Sequence, residues 1–482
     1  MKIFSWVLLI CLTVGLYGLI KPLPEGMDVT GEIYHLNNNS VHFFSDITYL
    51  DSTGTRQSEQ QIFPEIFKMI EGAEHYILID MFLFNNFLGT ATTSHRQLSS
   101  ELTDALIIKK QQNPEIIIQV ITDPINTVYS DYKSINLDRL RENGIPVIIT
   151  DLTVLRDSNP LYSGFWRTFL QWLPENDSQH LPNLFDINQP KTSVVSYLNS
   201  FNFKANHRKI ILADYTKNEK VGIATLITSA NPHDGSSAHS NTAIKIDDEI
   251  WKSAIASERS VAKFSNYEFI EPPATLLKKI SQQTGDIQTQ LLTEKAIKTK
   301  ALESIDGLKA GEALDMSMFY ISDRNIVTAL KRADERGVKI RLIFDPNKDA
   351  FGREKNGIPN RQVAHELIKN SKGNTEIKWC DTHGEQCHGK LLIFKQGDNS
   401  SLIQGSANLT RRNLENFNLE TNIYIAGSST TTAIQEAVNF FETNWNNENN
   451  KTHTTAYDTY ADDSFSKALI YRLTEFTGLS SY

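Results

Sequence analysis

An internal repeat constrains the fold of this 482-residue chain more than any other feature. The first copy has an apolar run at 76–84, then a helical pattern, then a second apolar run at 116–126. The second copy has the same order from 313–321 to 338–347, and the last run of each copy ends at an Asp-Pro pair. Strand-like β-branched runs that alternate with amphipathic helices indicate α/β layers. The sequence therefore predicts two related α/β halves.

A strand with histidine and lysine two positions apart follows the repeat in each half. The pairs are His207 and Lys209 in the first half, and His388 and Lys390 in the second. Residues two apart on a strand point to the same face, so each pair presents an imidazole and an ammonium group together. One such pair has no diagnostic value, whereas two matched pairs within an internal repeat are a specific signal.

A Ser-x-Asn turn follows each of these strands, with Ser229 and Asn231 in the first half and Ser406 and Asn408 in the second. A hairpin would return these hydroxyl and amide groups to the side of the histidine. Such a set of groups can bind a phosphodiester and stabilise a five-coordinate phosphoryl transition state without a metal. Two imidazoles allow a two-step reaction, in which one attacks phosphorus while the other protonates the leaving alcohol and later activates the acceptor.

The duplicated motifs resemble those of the phospholipase D superfamily, the HKD phosphodiesterases, from about Tyr34 to the C-terminus. The segment 202–209 is most similar to the cardiolipin synthase-like and phospholipase D-like branches. The resemblance implies two pseudo-symmetric α/β/α lobes with the active site at their interface, a covalent phosphohistidine intermediate, and no cofactor or metal. By the same resemblance, the nucleophile is His207, the general acid and base is His388, the phosphate-binding residues are Lys209, Lys390, Asn231 and Asn408, and the supporting residues are Ser229 and Ser406.

The sequence departs from the family pattern at several supporting positions. The first motif has Asp214 in the family's aspartate position, but the second motif has Lys395 there. The family often places an acid downstream to orient the histidine; Glu420 fits this role in the second half, and Asn241 occupies the position in the first. An amide can accept a hydrogen bond from imidazole but lacks the charge that favours imidazolium. A non-catalytic module that binds phosphate-bearing ligands is therefore an alternative function.

The N-terminal segment 3–20 is apolar and uncharged, and Lys2 and Lys21 flank it. At about 1.5 Å per residue, a helix of this length nearly crosses a hydrocarbon layer of about 30 Å. A cleavable signal peptide is the alternative, but no small-x-small cleavage site follows. We predict a membrane anchor over 1–22. The catalytic body is expected outside the cytoplasm, because positive charge precedes the span and acidic residues follow it.

The repeat also predicts the domain boundaries. The first lobe is expected at 31–270 and the second at 305–482, with a polar, helical linker at 271–304. An insertion rich in aromatic residues, 152–206, lies in the first lobe. Its helical pattern predicts either a helix packed on the core or a lid or interfacial helix in lipid headgroups. The two halves of one chain should build one complete site, so we expect a monomer.

Cysteines and the remaining histidines near the motifs suggest structural roles. Cys380 and Cys387 bracket a turn-like stretch, where a disulfide is feasible and an extracytoplasmic location would permit it; two free cysteines are the alternative. Three cysteines in total exclude a disulfide-dense scaffold and an all-cysteine zinc cluster. His233, His239 and His383 lack metal-ligand spacing and are expected to be solvated loop residues.

The leading hypothesis is a membrane-anchored phosphodiesterase that hydrolyses or transfers the phosphatidyl group of a phospholipid. The net charge of −9, the apolar N-terminus and the aromatic insertion favour lipid over polynucleotide as the substrate. The second hypothesis is a nuclease of the same superfamily that cuts single-stranded nucleic acid. It would need a basic groove near the motifs, for which the sequence offers Lys204, Arg208, Arg411 and Arg412.

Overall fold

The first half of the chain forms an eight-stranded sheet flanked by helices. The structure is a computed structural model, and it describes residues 2–90, 95–174, 179–217, 220–276 and 285–480. The elements up to the insertion are α1 (Lys2–Ile20), β1 (Thr30–Leu36), β2 (Val41–Leu50), β3 (Arg56–Glu59), α2 (Ile62–Gly72), β4 (Tyr76–Met81), α3 (Leu98–Gln112), β5 (Ile117–Thr122), α4 (Ile135–Glu142) and β6 (Val147–Ile149). The insertion and the end of the first half contain α5 (Pro160–Phe165), α6 (Val194–Ser200), β7 (Lys209–Lys217), β8 (Lys220–Thr228), β9 (Asn241–Ile246) and α7 (Trp251–Phe264).

The second half forms a nine-stranded sheet with its own helices. Its elements are β10 (Ile287–Thr293), α8 (Lys295–Gly307), β11 (Ala313–Met318), α9 (Arg324–Glu335), β12 (Lys339–Phe344), β13 (Asp349–Ala350), β14 (Arg353–Glu354), α10 (Asn360–Asn370), β15 (Thr375–Cys380), β16 (Lys390–Gln396), β17 (Asn399–Gly405), α11 (Arg411–Leu414), β18 (Thr421–Ser428), α12 (Thr432–Asn446), β19 (Thr454–Ala456) and α13 (Phe465–Thr477). Short 3-10 turns and one π-helical turn, Trp166–Leu170, connect some of these elements.

The two sheets repeat one topology. The first has the strand order β3-β2-β9-β8-β7-β4-β5-β6, and the second has β1-β10-β18-β17-β16-β11-β12-β15-β19. Position by position, each strand of the first sheet has a counterpart with the same parallel or antiparallel neighbours in the second, which adds β19 at one edge. The predicted α/β fold with two pseudo-symmetric lobes is therefore confirmed.

The central strands are mostly apolar because both faces of each sheet are covered. All six residues of β4 are buried, and its alternate side chains enter two different clusters. Ile77 and Ile79 pack under the outer helices of the first lobe, whereas Tyr76 and Leu78 face a cluster that includes residues of both sheets and of α7 and α12. The two lobes therefore share one interior, and their facing sides are fixed relative to each other.

Two sequence expectations about the lobe boundaries need correction. The strand β1 pairs antiparallel with β10, so residues 31–36, which were expected in the first lobe, belong to the sheet of the second lobe. The expected linker 271–304 contains the strand Ile287–Thr293, which lies between β1 and β18 in that sheet, and then α8. The linker is thus not helical throughout, because hydrogen bonding to β18 fixes its middle as a strand; residues 277–284 lie outside the described residues.

The N-terminal helix α1 packs on the insertion through glycines. Gly15 and Gly18 are its buried residues, and a Cβ atom on Gly15 would lie 2.3 Å from the carbonyl oxygen of Pro160. The amide of Asp157 donates to the carbonyl of Gly18 at 2.9 Å. Small residues allow such close backbone approach between helices. Most other side chains of α1 are exposed, and its length and composition alone would allow it to cross a membrane.

The insertion is neither a core helix nor detached from the body. Trp166 is buried and donates from its indole nitrogen to Asn199 at 3.0 Å, whereas Phe165, Phe169 and Trp172 remain substantially exposed. The helix α5 and the π-helical turn that follows it therefore pack on α1 and α6 with one face, and their other face exposes aromatic side chains to solvent. Of the two sequence alternatives for 152–206, the packed helix describes the buried face, and the lid or interfacial helix stays a prediction for the exposed aromatic face.

Candidate active site

The two His-x-Lys pairs occupy the same position in the two sheets. Lys209 begins β7 and pairs with Met81 of β4, and Lys390 begins β16 and pairs with Met318 of β11. Each lysine is fully buried and donates from Nζ to the carbonyl of the histidine two residues before it, at 2.7 Å for Lys209 and 2.6 Å for Lys390. The predicted pairs are therefore structurally equivalent.

An aromatic ring packs against each pair in the same way. The ring of Phe82 lies 4.8 Å from that of His207 and 5.0 Å from Nζ of Lys209. In the second lobe the ring of Phe319 lies 4.9 Å from that of His388, and Nζ of Lys390 is 5.0 Å from it. These phenylalanines directly follow β4 and β11, and each fixes its imidazole while offering a cation–π contact to the ammonium group.

Hydrogen bonds across the lobe interface hold both histidines. The backbone amide of His207 donates to the carbonyl of Leu419 at 2.9 Å, and that of His388 donates to the carbonyl of Ser240 at 2.8 Å. Leu419 lies in the second lobe and Ser240 in the first. Each motif strand therefore begins at a short bridge to the opposite lobe, which brings the two histidines to one interface.

The residue that orients each imidazole also comes from the opposite lobe. Nδ1 of His207 lies 2.9 and 3.0 Å from the two carboxylate oxygens of Glu420, and Nδ1 of His388 lies 3.1 Å from Oδ1 of Asn241. Because Asn Oδ1 and a carboxylate accept hydrogen bonds, each Nδ1 carries the proton and each Nε2 has a free lone pair in the neutral ring. The sequence identified Glu420 and Asn241 but not that they serve the histidine of the other half.

The serines of the two Ser-x-Asn turns fix these orienting residues. Ser229 donates from Oγ to Asn241 at 2.9 Å, and Ser406 donates to Glu420. Both hydroxyls therefore bond to side chains of the protein itself. Asn413, which the sequence did not single out, also donates to Glu420.

The two asparagines of the Ser-x-Asn turns are almost completely buried. Asn231 and Asn408 are each 5% exposed. The Oδ1 atom of Asn231 accepts from the amide of Leu83 at 3.1 Å, which orients its amide group next to Phe82. Among the described residues, Oδ1 of Asn408 has no hydrogen-bond partner. Buried polar atoms without partners are uncommon and often occur where a ligand binds.

The pKa values of both histidines respond to charged groups of both motifs. Burial lowers the pKa of His207 to about 4 against the opposing effect of Glu420, and the ammonium groups of Lys209 and Lys390 lower it further. Burial also lowers the pKa of His388 well below its usual value, and both lysines add to this effect. Both imidazoles are therefore neutral at neutral pH before a ligand binds.

The aspartates of the two Asp-Pro pairs hold the residue before each histidine. Asp123 accepts from the amide of Asn206 at 2.7 Å, and Asp345 accepts from the amide of Cys387 at 2.8 Å. The sequence predicted strand ends at these aspartates but missed their contact with the motifs. These aspartates occupy equivalent positions in the two copies of the repeat, and this equivalence could have indicated their contact with the motifs.

The residues at the motif's aspartate position, Asp214 and Lys395, stabilise the fold away from the histidines. Asp214 accepts the backbone amides of Glu74, His75 and Tyr76 at 2.8–3.2 Å, and so fixes the start of β4. Its counterpart Lys395 instead forms an ion pair with buried Asp315 at 2.5 Å. Each lies five residues beyond its motif lysine, roughly 16 Å along a strand. The substitution of lysine for the family's aspartate at position 395 therefore affects an ion pair at the end of the strand that is distant from the histidines.

The expectation that the nearby histidines are solvated is wrong for two of the three. His233 and His239 are each 3% exposed, whereas His383 is largely exposed and lies 3.0 Å from Asp381. Phe351, at the tip of the β13–β14 hairpin, packs against the rings of His233 and His239. This hairpin comes from the second lobe and covers a loop of the first, which is why the local sequence did not predict burial.

A disulfide joins Cys380 and Cys387, with Cα atoms 6.2 Å apart. It closes the loop that connects β15 to the segment before His388. Of the two sequence alternatives for these cysteines, the structure has the bonded one. The bond limits the freedom of the backbone that positions His388.

Two of the four basic residues that a nucleic-acid groove would require are neutralised within the protein. Lys204 forms a buried ion pair with Asp157 at 2.5 Å, and Arg208 is fully buried between Glu258 and Glu294. Arg411 donates to the carbonyl of Ser158, next to the end of α1. Lys204 and Arg208 are therefore not available to bind the phosphates of a nucleic acid.

Comparisons with known proteins agree with this architecture. Residues 305–445 match the family model of the cardiolipin synthase, PLD-like domain. The crystal structure of phosphatidylserine synthase from Haemophilus influenzae Rd KW20 is similar to the chain at a TM-score of 0.54 and 11% identity, over 93% of this chain and 95% of that one. None of the curated proteins matches the chain.

Two further structures give weaker matches. Polyphosphate kinase from Porphyromonas gingivalis has a TM-score of 0.44 and 16% identity, over 86% of this chain and 51% of its own. Nuc from Salmonella typhimurium, a phospholipase D family member, has a TM-score of 0.26 and 17% identity, over 34% of this chain and 97% of its own.

The fold is that of a two-lobed phospholipase D-like protein with the duplicated motif at the lobe interface. The family match is to residues 305–445, and the repeated topology together with the likeness to the phosphatidylserine synthase structure extends the same fold to the first lobe.

Proposed function

We propose that this chain is a membrane-anchored phosphodiesterase that hydrolyses or transfers the phosphatidyl group of a phospholipid through a phosphohistidine intermediate. The observation that carries the proposal is the crossed arrangement of His207 with Glu420 and of His388 with Asn241 at one lobe interface. The match of the second lobe to the cardiolipin synthase PLD-like domain supports a lipid phosphodiester as the substrate class.

In the first step, the lone pair on Nε2 of His207 attacks phosphorus. A bond from nitrogen to phosphorus forms, and the bond from phosphorus to the headgroup oxygen breaks. The leaving oxygen takes a proton from Nε2 of His388, which the bound phosphate anion has favoured in the protonated state. Glu420 supports His207 as nucleophile, because its negative charge stabilises the positive charge that develops on the attacking imidazole.

In the second step, His388 acts as a base. Its Nε2 takes a proton from water or an acceptor alcohol, and the oxygen of that acceptor attacks phosphorus. The bond between phosphorus and His207 breaks and the free imidazole is restored. Asn241 suits this alternating role, since an uncharged acceptor orients His388 without holding it permanently as a cation.

The phosphate oxygens would be bound by Lys209, Lys390, Asn231 and Asn408. Burial lowers the pKa of Lys209 to about 7 and that of Lys390 well below its usual value. A bound anion would raise both pKa values and so restore full positive charge on both lysines. This couples substrate binding to the charge that stabilises the transition state.

A lipid substrate is favoured over nucleic acid by the surroundings of the site. The exposed apolar α1 and the exposed aromatics of the insertion suit a membrane location, while Lys204 and Arg208 are occupied in ion pairs. We also propose that the body lies outside the cytoplasm, where the Cys380–Cys387 disulfide would be stable.

The test uses the full chain in detergent with phosphatidylcholine, phosphatidylglycerol or single-stranded DNA, each with EDTA present. We expect release of headgroup or transfer of phosphatidyl from a lipid, lost in His207→Ala and in His388→Ala. The matched control is His383→Ala, which removes an exposed histidine in the same region. DNA cleavage with the lipids untouched, or lipid turnover that survives both motif substitutions, would contradict the proposal.

A further inference from the structure

The C-terminal helix α13 has an apolar face with no protein against it in the described part of the chain. Phe465 and Phe476 are 81% and 83% exposed, and Leu469, Ile470 and Leu473 between them are each about half exposed. Positions 465, 469, 473 and 476 follow helical spacing, so these side chains form one stripe. A soluble surface seldom presents such a stripe unless something binds there.

The opposite face of α13 fixes the helix on the body. Tyr471 and Glu475 are buried, and Glu475 accepts from the hydroxyl of Ser322 at 2.7 Å. The hydroxyl of Tyr471 accepts from the guanidinium of Arg324 at 2.9 Å. The exposed stripe is therefore not a frayed end, because its orientation is set by buried polar contacts on the other side.

The apolar stripe of α13 ends beside the C-terminal end of α1. A groove of about 900 Å³ has Leu19 of α1, Leu161 of the insertion and Phe476 of α13 in its lining. Charged side chains also line it, including Arg156, Arg411, Asp323, Glu415 and Glu475. At the end of α13, Gly478 has a φ of +79°, and a Cβ atom there would lie 1.7 Å from the carbonyl oxygen of Ser158. The residue before Ser158 is bonded to Gly18 of α1, so the apolar helix and α13 meet through this short segment.

Two arginines in the groove complement this apolar surface. Arg156 donates from Nε to the carbonyl of Lys21, and Arg411 donates from Nη1 to the carbonyl of Ser158. Within the described residues, neither guanidinium forms an ion pair with a carboxylate, although both line the groove. The carboxylates of Asp323 and Glu415 in the same groove pair with Lys298, and Glu475 accepts from the hydroxyl of Ser322 and the amide of Arg411. Apolar side chains bordered by the two guanidinium groups therefore suit the boundary between acyl chains and anionic headgroups of a bilayer.

We propose that the exposed face of α13 lies in the headgroup–acyl boundary of a lipid bilayer beside α1, with Arg156 and Arg411 facing anionic headgroups. The occupant is a lipid surface because the stripe continues into α1, whose own exposed side chains are apolar. The inference rests on the membrane anchoring that is part of the proposed function, but not on the reaction. It gives the body a second membrane contact and a defined orientation.

The test measures membrane depth in the full chain by nitroxide labelling. Cys11→Ser removes the free cysteine, and single cysteines are then introduced as Phe476→Cys, Leu9→Cys or Thr53→Cys. These report on α13, on α1 and on an exposed turn of the first lobe. The labelled protein is placed in vesicles of phosphatidylcholine with or without phosphatidylglycerol. For each label, collisions with dissolved oxygen are compared with collisions with a water-soluble nickel chelate.

We expect the labels at 476 and 9 to lose nickel accessibility and gain oxygen accessibility, while the label at 53 stays accessible to nickel. Arg156→Gln and Arg411→Gln should each lower the ratio of immersed to free label at 476 by about fivefold on anionic vesicles, and not on neutral ones. Immersion at 9 with full nickel accessibility at 476 overturns the inference and leaves the anchor intact.

Two other outcomes also count against the inference. Nickel accessibility at both 9 and 476 would remove the anchor as well as the second contact, whether or not the chain turns over a lipid. Spin–spin broadening at 476 that disappears when unlabelled protein is added would show that a second copy of the chain covers the stripe. The depth measurement needs no catalysis, so failure of the proposed reaction would appear only in the turnover assay.

Discussion

Glu420 of the second lobe binds Nδ1 of His207 in the first, with both carboxylate oxygens within 3.0 Å. The reciprocal contact, from the first lobe to His388, is made by an uncharged asparagine. The two halves of the site therefore have the same geometry but different electrostatics. This difference assigns different tasks to two imidazoles that the repeat makes equivalent, and it can be tested at each orienting residue separately.

Replacing Glu420 with glutamine should reduce kcat and shift the acid limb of the pH profile of kcat/KM. The side chain keeps its shape but loses a charge-assisted hydrogen bond of about 1.5–3 kcal/mol, which corresponds to a fall of roughly 10- to 150-fold in kcat. The pKa of His207 is about 4, and Glu420 raises it against burial. The acid limb of kcat/KM should therefore move to lower pH in E420Q. An unchanged limb together with an unchanged kcat would show that Glu420 only supports the fold.

Replacing Asn241 with aspartate should move the alkaline limb of the pH profile of kcat. A carboxylate beside His388 favours imidazolium, so its pKa rises by about one to three units. A general acid stops working as the pH rises above its pKa, and the alkaline limb of kcat should consequently move to higher pH. A phosphatidyl ester of p-nitrophenol is the control, because that leaving group needs no proton. A limb that stays in place or moves to lower pH would contradict the role of His388 as acid.

The repeated α/β topology was predictable because each strand carries its own signal. The buried strands β4, β5, β11 and β12 are rich in apolar residues, and the helix between β11 and β12 has apolar residues at helical spacing with Asp323 as its N-cap. By contrast, β1 is an edge strand that is polar and mostly exposed. Its partner β10 lies about 250 residues away in the chain, so the local sequence pattern of β1 could not predict this pairing.

The candidate site was predictable as a set of residues but not as a set of contacts. His207, His388 and their lysines recur in matched motifs, so the sequence found them. Which acid faces which histidine depends on how the lobes meet, and the repeat alone fits a pairing within each half as well as the crossed one. The burial of His239 has the same origin, since Phe351 reaches it from the other lobe.

Replacing Lys395 with aspartate, the residue that the family pattern favours, should destabilise the protein and leave the activity of the folded molecules unchanged. Lys395 contacts buried Asp315, so a second carboxylate there places like charges together and removes a favourable pair. We expect a loss of about 1–3 kcal/mol in the free energy of unfolding, measured by chemical denaturation. Lys395→Arg is the matched control and should be close to neutral. A large loss of kcat in folded K395D would mean that this position influences the histidines.

Removing the disulfide should affect the second lobe and His388 more than His207. The bond closes a loop of sequence separation 7 between Cys380 and Cys387, for which loop entropy gives about 2–3 kcal/mol. The loop ends next to His388 and is held there by Asp345, which accepts from the amide of Cys387. C380S/C387S should therefore unfold at lower denaturant concentration and lose kcat on natural lipids, whose leaving groups need His388. Phosphohistidine formation from the p-nitrophenyl ester should be retained, because it depends on His207; an equal loss on both substrates would show that the loop supports the whole interface.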